Sequence, residues 1–199
     1  MRVSTTDPDP EEGTPGTVLL TIGHSNHPHD TFLSALTAHG VRRLVDVRRF
    51  PSSRRFPHFN AKPLALALED AGITYRHMAP LGGRREPAPS SPHGAIKDPL
   101  LRSYADHMAT TEFREALEEL VEIAAARRTA IMCAEADPNR CHRRLIADAL
   151  TLRGLKVLHI LDETTSEAHV LPPYLRTEGG ELVYDGGALM IDFGDGHVT

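Results

Sequence analysis

The chain has 199 residues, 40% of them hydrophobic and 25% charged, which suits one ordinary domain with an apolar core. A formal net charge of −5 argues against bulk electrostatic binding of nucleic acid. No run approaches the roughly 18 apolar residues of a membrane span, and a pair of cysteines, Cys133 and Cys141, suits a reducing compartment, so the expected location is cytoplasmic.

Residues 1–16 are Pro, Gly, Thr and acids; they read as a disordered tail, with no pattern of a signal peptide. "TVLLTIGHS" predicts a buried strand over Thr17–Ile22 that ends in a polar turn. Asp30 is a candidate N-cap for a helix carrying Phe32, Leu33 and Leu36 on one face, stopped by Gly40. "RLVDVRRF" predicts a second strand, and "PSSRRFPHFN" a loop. Asn60 is placed to cap a helix over 61–71, closed by Gly72. "ITYRHMAPL" predicts a third strand running into Gly82-Gly83. Residues 84–99 form a long proline-rich loop, either an ordered flap or a mobile insertion. Helices follow over 100–108 and 112–127; the second holds Phe113, Ala116, Leu117, Leu120, Val121 and Ala124 at helical spacing. "TAIMCA" predicts another buried strand, Pro138 and Asn139 the start of a helix striped by Leu145, Ala149 and Leu152, and "KVLHIL" the last core strand. In "ELVYDGGALMIDF", two apolar runs around Asp185-Gly186 predict a hairpin. Alternating strands and helices imply an α/β fold, a mostly parallel sheet flanked by helices with a C-terminal β-hairpin extension. The expected organisation is a tail over 1–16, a domain over 17–170 and an extension over 171–199.

In such sheets ligands bind outside the carboxyl ends of the strands. Those ends carry His24, Ser25 and Asn26; Asp46, Arg48, Ser53 and Arg54; Gly82 and Gly83; and Cys133 and Glu135. The helix expected from Pro138 would bring Cys141, His142 and Arg143 into its first turn, where free N–H groups and the dipole favour an anion and a thiolate. Arg48, Arg54 and Arg143 then read as anion-binding forks beside Ser25, Asn26, Asp46 and Ser53. His24, Glu135, Cys141 and His142 read as catalytic groups, with Glu135 orienting an imidazole. Asp46 lies between two valines and needs a partner, for which Arg48 is the obvious choice; a purely structural ion pair is the alternative. Cys133 on its strand reads equally as a small apolar core residue. Cys133, Cys141, His142, His24 and Glu135 are possible metal ligands, but their spacing matches no common zinc pattern, so no metal is assigned and the cofactor stays open.

The stretches "TIGHSN" (21–26), "LVDVRRFPSSRR" (44–55), "FN" (59–60), "LGGRR" (81–85), "MCAEADPNRCHRRLIADAL" (132–150) and "VLHIL" (157–161) resemble the DUF488 family of bacterial and archaeal proteins, over roughly Val18 to His169. The family has no assigned reaction. The resemblance implies a site at these same motif residues, with Pro51 and Cys133 included and His169 as the histidine after the last strand. "LVDVR" and a strand ending in Cys133 are also faintly similar to rhodanese-like domains. However, Glu135 and Asp137 stand where an anion-cradling loop should be, and carboxylates there would repel a persulfide. The leading expectation is an enzyme acting on a small anionic molecule, phosphorylated or nucleotide-derived. The alternatives are a nucleic-acid or regulatory ligand module, with Phe50, Phe56 and Phe59 available for stacking, and rhodanese-like thiol or metal-dependent chemistry. No membrane partner is expected, and an oligomer is left open.

Overall fold

A computed structural model describes residues 17–187. The expected tail over 1–16 and the apolar run over 188–193 lie outside the described residues. The strands are β1 (Val18–Gly23), β2 (Arg43–Asp46), β3 (Thr74–His77), β4 (Thr129–Cys133), β5 (Lys156–Ile160), β6 (Ser166–Ala168), β7 (Leu175–Glu178) and β8 (Glu181–Tyr184). The helices are α1 (His29–Ala38), α2 (Ala61–Asp70), α3 (Pro99–Met108), α4 (Thr111–Ala126) and α5 (Arg143–Leu152). One six-stranded sheet runs β3-β2-β4-β1-β5-β6. Its first five strands are parallel and β6 pairs antiparallel at the edge.

The central strands are apolar on both faces because both are covered. Leu20, Ile22, Leu44, Ala130 and Met132 face α1 and α2, meeting Phe32, Leu36, Leu64 and Leu68. Leu19, Val45, Ile131 and Val157 face α3, α4 and α5, meeting Tyr104, Phe113, Leu117, Leu145 and Leu150. Leu175 of β7 and Tyr184 of β8 belong to that second cluster. No helix among the described residues is long and apolar enough to cross a membrane.

Several boundaries move, each for a local reason. β3 stops at His77, because the chain closes a 3-10 turn over Ala79–Leu81 around Pro80. Asn60 precedes α2 without capping it; its Oδ1 accepts the Ser53 N–H at 2.6 Å instead. Helix α5 starts at Arg143, several residues after Pro138. There Asp137 caps the Asn139 N–H, a 3-10 turn closes over Pro138–Arg140, and Cys141 then adopts an extended backbone. A C-terminal hairpin is formed by β7 and β8, turning at Gly179-Gly180, both at positive φ (58° and 82°), as tight hairpin turns require; the second arm of the turn expected around Asp185-Gly186 lies outside the described residues. Asp185, expected at the turn, pairs with Arg176 at 2.8 Å. The 84–99 loop is pinned to β8: Ala95 N–H donates to the Tyr184 carbonyl, and the Tyr184 N–H to His93 Nδ1. Strands β6 and β7 were not expected; β6 ("SEA") is polar and exposed throughout, so no apolar alternation marks it.

Candidate functional site

The ends of β1, β2 and β4 lie side by side, and their pairing continues past the strands. His24 N–H donates to the Cys133 carbonyl, Ser25 N–H to that of Ala134, and Val47 N–H to that of Met132. This brings His24, Arg48 and the Cys133–Arg143 segment to one edge of the sheet. Gly23 is required there: a Cβ would overlap the Glu135 carbonyl and stand 2.9 Å from an Arg143 Nη. Ser25 pays for the turn with φ 45°, a left-handed conformation unusual for a side-chain-bearing residue.

The expected Asp46–Arg48 pairing is present and buried. Asp46 accepts from Arg48 Nη2 at 2.6 Å, from Arg48 Nε at 2.9 Å, from the Arg48 backbone N–H at 3.0 Å and from the Tyr75 hydroxyl at 2.8 Å. Arg48 also donates to the Phe59 carbonyl at 2.7 Å and to His24 Nε2 at 3.3 Å. His24 donates from Nδ1 to the Ser25 carbonyl at 3.0 Å and stacks on Phe59 at 4.3 Å. Burial, then the Arg48 charge, lower its pKa to about 4, so the ring is neutral at pH 7.

The second cluster holds the sulfurs. Cys133 and Cys141 are both buried, with their Sγ atoms as close as in a disulfide and their Cα atoms 7.8 Å apart. Cys133 Sγ accepts from Arg143 Nε at 3.2 Å, and Cys141 Sγ from the Arg143 backbone N–H at 3.5 Å. His142 donates from Nε2 to the Val47 carbonyl at 2.9 Å, which leaves Nδ1 as a lone pair 3.7 Å from Cys141 Sγ. Desolvation lowers the His142 pKa to about 4, helped by Arg143 and Arg85. Gly83 approaches that ring so closely that a Cβ would stand 2.8 Å from Nδ1. Arg143 is 1% exposed; besides Cys133 it donates to the Thr21 hydroxyl at 3.0 Å and to the carbonyls of Glu135 and Ala136. Burial brings its guanidinium down to about 10, still charged at neutral pH.

Sequence reasoning missed a polar chain that continues from there. Thr21 Oγ donates to His159 Nδ1 at 2.8 Å, His159 Nε2 to His169 Nδ1 at 3.0 Å, and His169 Nε2 to Asp148 at 2.8 Å. The other Asp148 oxygen accepts from the Tyr184 hydroxyl at 2.9 Å. One proton placement satisfies every link, each imidazole accepting at Nδ1 and donating from Nε2. The signal was in the sequence: Asp148 interrupts the apolar run "LIADAL", and His159 interrupts "VLHIL".

Other expected site residues stand apart from these clusters. Ser53 shapes its loop, its Oγ accepting the Phe56 N–H at 3.0 Å. Asn26 is exposed and accepts from Ser25 Oγ. Arg54 is exposed and makes no ion pair among the described residues. Glu135 is exposed and contributes its carbonyl to Arg143; no hydrogen bond joins its carboxylate to His24 or His142. Arg48 and Arg143 commit their donors to the protein. Two surface hollows, one lined by Met108, Phe113, Leu117 and Leu182 and one along 87–91 and Arg102, lie away from these residues. Phe59, expected as an accessible stacking ring, is fully buried against His24.

Residues 28–150 match the model of a family described as "Domain of unknown function DUF488". Comparisons with curated proteins and with solved structures give no match.

Proposed function

The chain belongs to the DUF488 family, and from that premise and the strand-end geometry we propose that it is an enzyme acting on a small anionic molecule, phosphorylated or nucleotide-derived. One observation carries this reading: an arginine-rich rim, in which Arg48 is paired with Asp46 and Arg85 with Glu112, beside a buried sulfur–imidazole centre. The segments after β2 and β3, residues 47–60 and 78–85, hold Arg48, Arg49, Arg54, Arg55, Arg84 and Arg85 and no acid. The rim meets the centre, since Arg85 depresses the His142 pKa and Gly83 abuts its ring. Arg54 and Arg84 are exposed and in no ion pair among the described residues, so their forks are free to receive phosphate or carboxylate. Ser25 and Asn26 add neutral donors at the adjacent β1 end. Arg48 and Arg143 hold the scaffold and its field. The reactive groups are the Cys133–Cys141–His142 cluster.

The test is a thermal-shift and turnover screen of the full chain with sugar phosphates, nucleotides and inorganic phosphate. Binding is expected to weaken at least tenfold in an Arg54→Ala, Arg84→Ala double variant. No stabilisation and no turnover across the panel would remove the reading. A nucleic-acid function has one specific observation in its favour: Phe50 is 61% exposed with the Arg49 guanidinium 5.7 Å from its ring centre. Such a pair can stack on a base while neighbouring arginines follow the backbone. Single-strand binding that falls steeply with salt, and that Phe50→Ala weakens, would select this second reading.

A further inference from the structure

We propose that Cys133, Cys141 and His142 form a mononuclear site for a borderline divalent cation, Zn²⁺ by ligand chemistry. The three ligand atoms all lie within 4.8 Å of one another. A tetrahedral zinc holds sulfur at about 2.3 Å and nitrogen at about 2.0–2.1 Å, which spaces an S–N edge at about 3.6 Å. The Cys141 Sγ to His142 Nδ1 distance is 3.7 Å. The cysteine Cα atoms, 7.8 Å apart, exceed the about 4.4–6.8 Å that a disulfide spans without backbone movement. Two thiolates joined only through a metal are free of that limit, and on loading their Sγ atoms must part from the disulfide-like contact of this structure to the about 3.8 Å of a tetrahedral S–S edge.

The surroundings are those of metal ligands. The His142 Nε2–H is fixed by the Val47 carbonyl, so the ring can present only Nδ1, and Nδ1 is the atom directed at the sulfur. Each sulfur accepts one N–H from Arg143, one from the side chain and one from the backbone. Such donors stabilise thiolates. Two buried thiolates beside one buried guanidinium leave a net charge of about −1, which a divalent cation offsets. Sulfur with imidazole selects zinc over the oxygen-seeking Mg²⁺ and Ca²⁺. Three protein ligands leave a fourth position for water or substrate, the arrangement of a catalytic rather than a structural site. The sequence spacing argued against a metal because it resembles no zinc finger. The fold brings Cys133 from the end of β4 and Cys141 and His142 from the start of α5, which that spacing does not express.

Metal uptake is independent of whether the substrate reading above is right, because its test needs no turnover. The full chain is reduced and stripped with a chelator, then titrated with Co²⁺ and with Zn²⁺ alone. The expected result is one equivalent bound, with sulfur-to-cobalt charge-transfer absorption and the visible bands of tetrahedral cobalt, both displaced by Zn²⁺. Loading should protect both thiols from a disulfide-exchange reagent. His142→Ala and Cys141→Ser should each weaken binding at least tenfold, and circular dichroism checks that each remains folded. If a variant does not fold, thiol protection in the native chain still tests the proposal. Cobalt bound without charge-transfer absorption, variants that bind as the native chain does, or a Cys133–Cys141 disulfide that survives mild reduction would each overturn it.

Discussion

Replacing Asp46 by asparagine (Asp46→Asn) isolates a buried charge held by four donor groups. The native carboxylate is fully buried and receives Arg48 Nε, Nη2 and backbone N–H, together with the Tyr75 hydroxyl. An asparagine keeps one acceptor oxygen. If that oxygen takes the Oδ1 place, the amide NH₂ faces Arg48 Nη2, donor against donor, and the Tyr75 hydroxyl loses its carboxylate acceptor. The Arg48 guanidinium, 6% exposed, also loses its counter-charge. Breaking a buried pair from one side costs about 3–5 kcal/mol, against a total of about 5–15 kcal/mol for a typical domain. For a chain of this size that is a fall in Tm of about 6–20 °C. Urea unfolding followed by circular dichroism measures it. A double-mutant cycle with Tyr75→Phe adds a check: the second change should cost much less in the Asp46→Asn background, where its acceptor is already gone. A loss below about 1 kcal/mol for Asp46→Asn, with an unchanged m-value, would refute the reasoning and mean that water reaches the pair.

Tyr184→Phe removes a buried hydroxyl from Asp148 and should cost about 1.5–3 kcal/mol, read from the urea midpoint; no change would mean that the hairpin is not tied to α5 through that oxygen. Gly23→Ala places a methyl group into the Glu135 carbonyl, backbone against backbone. Soluble expression and thermal unfolding should show a loss of at least about 3 kcal/mol, whereas Gly154→Ala, with open space around it but φ 85°, should cost only about 1 kcal/mol. Stability should also fall with acid. The pKa values of His24, His142 and His159 are all depressed from 6.5 to about 4, chiefly by burial. The unfolded chain therefore binds protons that the folded chain refuses between those pH values. Stability is complete above about pH 6.5 and declines as the pH falls towards about 4. Urea midpoints at pH 7, 6 and 5 should descend; a flat series would show that these rings are solvated.

The apolar runs in β1, β2, β4 and β5 and the periodic faces of α1 and α4 were legible because a strand or helix covered on its inner face must write that burial into its own residues. The resemblance covering those runs placed the chain in its family. Local chemistry was less legible where two signals compete within a few residues: Asp137 caps a 3-10 turn over Pro138–Arg140, so the helix expected from Pro138 and Asn139 begins only at Arg143.

By itself the sequence determined the covered parallel sheet, the edge at which polar residues gather, and the residue types there: arginine, imidazole and thiol. The tertiary structure decided which of them meet. Arg48 and Arg143 point inward, Glu135 lends its carbonyl, and Thr21, His159, His169, Asp148 and Tyr184 join across 163 residues of chain into one polar line. The reason is that burial is a property of a single position and leaves a periodic trace, whereas a hydrogen-bond partner or a shared metal ligand set is a property of two distant positions and leaves none.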